Sequence, residues 1–385
     1  MKITDIVLRK ILNSGGKDAI EATVILEERF AGIASAPSAI LAGKREVTST
    51  DFNKLENDDL EKVKQTLINN EYSQKEIDRI LDSFIDSVGS DICLSISLAF
   101  ARAKAKAKNQ TIIEYIENET NIKSNYKAPY PLVAIFSGGV HGKKDGGSLQ
   151  QIMLSVNTND FNKAINIILN IYNDIEKYLK ENDMFVELGN SSGFVVKNIS
   201  IDEQFELLSK TIKKYDYNNV SIAIDVAAEH LKIDNNYLYQ NKLYTEDEFF
   251  DLIQDYKDKY NITFIEDPFD SDRKDTWIKF KNNNKDIDIV GDDLFATQSK
   301  YLDNAEANAM IIKMNQAGNL TNTLNTIVSA KEKNIKLCVS HRSYETEDTF
   351  MIDLAVATNS DYIKIGGPRR GDRISKYNRL LKIIK

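Results

Sequence analysis

Three carboxylates in this chain stand at the ends of apolar, β-branched runs. VSIAID ends at Asp225, ITFIED at Glu266 with Asp267, and DIDIVGDD at Asp292 with Asp293. A strand that stops at a carboxylate delivers it to the rim of a sheet, where loops begin; in a (β/α)8 barrel that rim is the active-site face. Three oxygen donors from three successive strands suit a hard cation such as Mg2+, which takes few protein carboxylates and keeps positions for water and substrate. Each carboxylate alone could equally cap a following helix, but three in consecutive units favour a metal. Lys313 in IIKMN and Lys364 in YIKIG lie inside apolar runs. Lysine is almost never fully buried without a partner, so each reads either as a snorkelling side chain or as a site lysine. A cationic neighbourhood lowers a lysine pKa toward the range a general base needs. Of three histidines, His141 follows the Gly-rich SGGV and His341 precedes Arg342 and Ser343, both at loop or strand-end positions. His230, in AAEHLK, reads as structural or solvated.

The elements that must position these groups follow from the patterning. Residues 1–30 read as strands, with a hairpin at Gly15-Gly16. FAGIASAPSAILAGKRE is rich in Ala, Gly and Ser and reads as a loop. From Asp51 to Lys108 the spacing is helical. Ser73 and Glu76 make a capping box, and SDICLSISLAFARAKAKAKN is a small-residue helix with a basic end that complements the helix dipole. NIKSNYKAPYP, residues 121–131, is the candidate linker. Beyond it, apolar runs alternate with helical segments, the mark of α/β architecture. The last six units end at Asp225, Glu266, Asp292, Lys313, His341 and Lys364. The predicted organisation is a smaller N-terminal α+β domain over 1–125 and a (β/α)8-type barrel over 130–385.

Composition narrows the function classes. At 385 residues the chain exceeds a typical single domain, and its 42% hydrophobic content supports a sizeable core. A net charge of -8 argues against general nucleic-acid affinity. Cys93 and Cys338, far apart, fit a reduced intracellular protein and a cytoplasmic location. The start MKITDIVLRKIL mixes charges into its apolar residues, unlike a secretory signal. No apolar stretch approaches the length of a membrane span.

At this point the residues carry a resemblance. VSIAID, FIEDPF, VGDDL, IIKMNQAGNL, SHRSYETEDTF and IKIGGPRRGDRISKYNRLL resemble the enolase (phosphopyruvate hydratase) family in order and spacing. SGGVHG and QQIML look like that family's histidine loop, and LNSGGKDAIEATV like its first hairpin. The resemblance covers nearly the whole chain and is most specific in the C-terminal half. It implies Mg2+ held by Asp225, Glu266 and Asp292, and Lys313 as the base that removes the C2 proton of 2-phosphoglycerate. It implies Lys364 at the substrate carboxylate, Arg342 and Ser343 at its phosphate, His141 at the hydroxyl end, and His341 in a second row. It also implies a small phosphorylated carboxylic acid as substrate and a homodimer or higher homo-oligomer. The chemistry is consistent with these roles. A proton α to a carboxylate is too weakly acidic for a bare lysine, and cations placed at the developing ene-diolate stabilise charge that appears only in the transition state.

The sequence also departs from the family pattern. Its GDEGGF reads GNSSGF here, residues 189–194, so the Glu that assists hydroxyl departure becomes Ser191. QEFM reads QQIM, placing Gln151 where a Glu stands, and SGAST becomes SAILA, with Leu41 where a Ser closes over the second metal. The metal ligands and base are kept while the acid is lost. Three readings follow: an enolase-type lyase on 2-phosphoglycerate or a related acid, a non-catalytic or moonlighting homologue that binds a phosphoenolpyruvate-like ligand or partner protein, or an enolisation or epimerisation enzyme.

Overall fold

The computed structural model describes residues 1–38, 43–139, 148–215, 217–302 and 306–384. His141 and Leu41 lie outside these residues.

The chain opens with an antiparallel sheet of β1 (Ile3–Leu12), β2 (Asp18–Leu26) and β3 (Phe30–Ser35), in that order. β3 corrects the loop expected for the first part of FAGIASAP. Its small residues serve packing: a Cβ on Gly32 would lie 2.0 Å from the Ala99 carbonyl oxygen. Glycine thus lets the helix Ser90–Ala107 lie flat on the sheet. That helix is buried almost all round by Ala, Ser and Ile, as its small-residue composition allows. The predicted capping box forms, with the Ser73 hydroxyl accepting from the Glu76 N–H.

The barrel begins within the proposed linker, with β4 (Tyr130–Ser137). β5 (Gln151–Val156) follows it. β6 (Phe185–Leu188) and β7 (Phe194–Val196) form a hairpin that joins β4 from outside the ring. β8 (Val220–Asp225) continues the barrel, and a small sheet of β9 (Lys232–Ile233), β10 (Asn236–Tyr239) and β11 (Lys242–Tyr244) sits after it. The ring is completed by β12 (Ile262–Glu266), β13 (Asp288–Gly291), β14 (Ala309–Ile312), β15 (Lys336–Ser340) and β16 (Tyr362–Lys364). Its order is β4-β5-β8-β12-β13-β14-β15-β16, closed by β16 against β4.

The fold is therefore an α/β barrel of eight strands with an N-terminal α+β unit, but β5 runs antiparallel to both neighbours. A helix-linked parallel unit is absent there. MFVELG, one of the expected apolar runs, supplies β6 and not a barrel stave. The reversal of β5 puts its first residue, Gln151, at the same rim as the last residue of β8, Asp225, with which it is in register.

The barrel interior is filled by one apolar side chain from seven of the staves: Leu132, Met153, Ala223, Phe264, Val290, Ile311 and Cys338, with Ala309 a second from β14 and Tyr362 of β16 packed against them. This makes the barrel a packed core and not a pore, and leaves only its rim for chemistry. The helix Lys274–Asn283 buries Trp277, whose indole N–H donates to the Asp270 carbonyl at 3.1 Å. Cys93 and Cys338 are buried free thiols. Among the described residues no helix is long and apolar enough to cross a membrane.

Candidate active site

Each strand of the parallel set ends at the rim, and the residue types there are those that the sequence singled out. One pocket is lined by Gln151, Asp225, Asp292, Lys313, His341, Arg342, Ser343 and Lys364. Glu266 lies beneath it, in register with Asp225 on the neighbouring strand.

Positive charge is threaded between the carboxylates. The Lys364 ammonium donates to Asp225 Oδ2 at 2.8 Å and to Glu266 Oε2 at 2.7 Å. Lys313 donates to Asp292 Oδ2, and Gln316 Nε2 donates to Asp292 Oδ1 at 2.9 Å. Burial opposes the charge on Lys364, but Asp225 and Glu266 hold its pKa above the usual lysine value. Burial likewise opposes the Lys313 charge, and Asp292 more than offsets it. Asp292 is held below the ordinary carboxylate range, because Lys313 outweighs its burial. Glu266 moves the other way: burial first, then the Asp225 charge, push it up to about 8. Burial and Asp292 push Asp293 up to about 7. These carboxylates are crowded beyond what the two lysines neutralise.

Oxygen donors so crowded fit a divalent hard cation. Among the described residues, the carboxylates that bring three oxygens within 4.8 Å of one another are Asp267, Asp292 and Asp293. This set shares Asp292 with the predicted ligands but has Asp267 and Asp293 in place of Asp225 and Glu266. Asp267 has a different task. Its two carboxylate oxygens accept the backbone N–H groups of Asp292 at 2.8 Å and Asp293 at 3.0 Å, which fixes the loop that presents them. It does so from a left-handed backbone, φ 44°, an uncommon conformation for a non-glycine residue. Asp267 thus orients the loop that presents Asp292 and Asp293, while Asp225 and Glu266 are drawn to Lys364 and stand outside this close group of three.

Arg342, expected at the phosphate, is buried against Glu46, with contacts of 2.9 and 3.1 Å. Glu46 also accepts the Gly43 N–H at 3.0 Å. A Cβ on Gly43 would lie 2.5 Å from Asp293 Oδ1, so any larger residue here would push the Asp293 carboxylate aside. Glu46 was not singled out in the sequence; its partner lies almost three hundred residues away.

The loop Arg342–Ser343 is fixed from below. Buried Arg373 donates to the carbonyls of Arg342 at 3.0 Å and Ser343 at 3.2 Å. Glu345 accepts the Arg342 N–H at 2.8 Å and pairs with Lys376 at 2.9 Å. His341 is buried.

Two of the three departures meet each other. Gln151 Nε2 donates to Ser191 Oγ at 3.1 Å, and both side chains are buried. Glu187, on β6, is exposed and does not line the pocket. His230, read as structural or solvated, is exposed but lines the pocket.

The barrel rim thus gathers carboxylates and lysines beside a fixed arginine loop. Comparisons with known proteins place the chain in a family. The family model described as "Enolase, C-terminal TIM barrel domain" matches residues 125–385, and the one described as "Enolase, N-terminal domain" matches residues 3–116. Proteins named enolase from two strains of Ureaplasma parvum serovar 3 are each 31% identical over 423 residues, covering 100% of this chain and 96% of theirs. The chain belongs to the enolase family.

Proposed function

We propose that this chain is a Mg2+-dependent carbon–oxygen hydro-lyase acting on 2-phosphoglycerate or a related 2-phospho acid. The observation that carries this reading is the meeting of Lys313 and Lys364 with Asp225 and Asp292 in one pocket, with Glu266 bonded to Lys364 beside it.

Asp225, Glu266 and Asp292 would hold the cation. When bound, it supplies positive charge at the substrate carboxylate, where an ene-diolate gathers negative charge. Lys313, on the end of β14, takes the C2 proton. Asp292 accepts from its ammonium and favours the charged form, so a cation that shared Asp292 would weaken that hold and favour the neutral, basic amine. Lys364 adds fixed positive charge at the carboxylate end. Arg342 and Ser343, on the braced loop, bind the phosphate, with Glu46 setting the arginine's orientation. His341 supports this loop from its buried position.

The second half of the reaction is the weaker one. Gln151 and Ser191 hydrogen-bond to each other and neither donates a proton at a useful pKa, so these two positions do not give hydroxide departure the help that general acids supply, on the order of 10²–10⁴-fold. That same pair favours a second reading, in which the protein binds a phosphoenolpyruvate-like ligand or enolises its substrate without dehydration. An assay for phosphoenolpyruvate from 2-phosphoglycerate and Mg2+, repeated with Lys313→Ala, tests the primary reading. Product formation above background that is lost in the variant supports it; equal rates in both proteins overturn it.

A further inference from the structure

We propose that His230 is the catalytic group that protonates the departing hydroxyl, replacing the acid that Gln151 and Ser191 no longer provide. The inference rests on the lyase reading above and names the residue for its second half.

The ring order decides where such a group must stand. Lys313 follows β14, and the stave across the ring from β14 is β5, flanked by β4 and β8. A donor that reaches a small substrate from the side away from the base therefore belongs to the sector of these three staves, and the segment after β4, with His141, lies outside the described residues. The rim residue of β5 is Gln151, which is buried and bonded to Ser191. The rim of β8 continues into the short turn Ala228–Leu231, which carries His230.

That turn is built into the site. The Val226 N–H donates to the Glu266 carbonyl at 2.9 Å, and the Ala228 N–H to the Asp267 carbonyl at 3.1 Å. Glu229 anchors it from the other side, paired with Lys44 at 2.9 Å and accepting from Ser271 Oγ at 3.1 Å. His230 lines the pocket from this anchored turn and is exposed, so it can be reprotonated by solvent after each turnover.

The other proton carriers on the described pocket wall are placed or engaged differently. Lys313 is the base, and Lys364 is bound between Asp225 and Glu266. His341 and Asp293 follow β15 and β13, the two staves that flank β14, on the side of the base. Imidazole is also the side chain whose proton exchanges most readily near neutral pH.

The step balances. The C2–H bond breaks, its proton passes to neutral Lys313 Nζ, and the electron pair forms the C2–C3 double bond. The C3–O bond breaks with its electron pair on oxygen, the imidazolium gives up one proton, and water leaves with neutral imidazole remaining. His230 acts directly or through one water, either of which is within the reach of general-acid catalysis.

The test follows C2 deuterium incorporation and product formation on the same sample, for the parent protein, His230→Gln and His230→Ala. The expected result is unchanged exchange, with product formation lowered on the order of 10²-fold and partly restored to His230→Ala by added imidazole. A substrate analogue with fluoride at C3, which departs without a proton, should be turned over equally by parent and variants. The proposal is overturned if product formation is unchanged, if exchange and product fall together, or if fluoride loss falls as far as hydroxide loss. If the parent itself shows neither exchange nor product, the lyase reading fails, and this inference with it.

Discussion

Replacing Lys364 with methionine would keep most of the side-chain volume and remove the ammonium that bridges Asp225 and Glu266. The lysine side chain is 4% exposed and its partners 3% and 1%, so water cannot take over its role. Removing one partner of a buried ion pair typically costs about 3–5 kcal/mol, because the remaining charge is left uncompensated. For a domain of the barrel's size, that corresponds to a fall in Tm of roughly 6–20 °C. The loss should depend on pH, and the sign follows from Glu266. Its carboxyl in the folded parent is already pushed up to about 8, above the ordinary value of 4.5. A raised folded pKa means stability that is present at low pH and lost as pH rises through the folded value. Without Lys364 the Glu266 carboxyl rises further, so the variant's deficit should be smaller near pH 6 than near pH 8.5. Differential scanning calorimetry across that range, without and then with Mg2+, measures it. A second expectation is that Mg2+ restores more stability to the variant than to the parent at the higher pH. A Tm unchanged by the substitution, or a deficit that grows toward low pH, would refute the electrostatic account of the pocket.

Three further outcomes follow. Mg2+ should raise the parent's melting temperature, by an amount that corresponds to about 2.7 kcal/mol when its concentration is a hundred times Kd, and Asp292→Asn should weaken its binding by calorimetry; an unaltered isotherm would remove Asp292 from the ligand set. Glu46→Gln should cost about 3–5 kcal/mol in denaturant unfolding, since it leaves Arg342 buried without its counter-charge, and should strengthen binding of inorganic phosphate; unchanged stability and phosphate affinity would mean that the pair does not restrain Arg342. Asp78 accepts from the N–H and hydroxyl of Thr321 at 2.8 and 2.6 Å, yet burial pushes its pKa up to about 6. Stability should therefore fall between about pH 4 and pH 6 by on the order of 1–3 kcal/mol, and Asp78→Asn should remove that slope; an unaltered slope would place the titration elsewhere.

The strands that carry the site were legible because each is buried on both faces and stops at an ionisable side chain, a pattern that composition alone reveals. Asp225, Glu266, Asp292, Lys313 and Lys364 all emerged in this way. What escaped depended on contacts distant in sequence. β3 read as a loop because Gly32 weakens a strand pattern, while its value lies in the approach of Ala99. The reversal of β5 left no mark on its own residues, which are apolar in either direction. Glu46 sits in a polar, unpatterned stretch, and only the folded chain brings it to Arg342. His230 sits in a turn whose anchoring by Glu229 and Lys44 cannot be read from AAEHLK.

The most direct test of the account follows deuterium at C2 of 2-phosphoglycerate by NMR, in D2O with Mg2+, beside phosphoenolpyruvate formation, for the parent and for Lys313→Ala. On the proposed roles, with Lys313, Lys364 and the three carboxylates in place but Gln151 and Ser191 where the family has glutamates, the parent should exchange the C2 proton faster than it forms product, and the variant should do neither. Exchange that persists in Lys313→Ala would contradict the assignment of the base and, with it, the reading of the whole pocket.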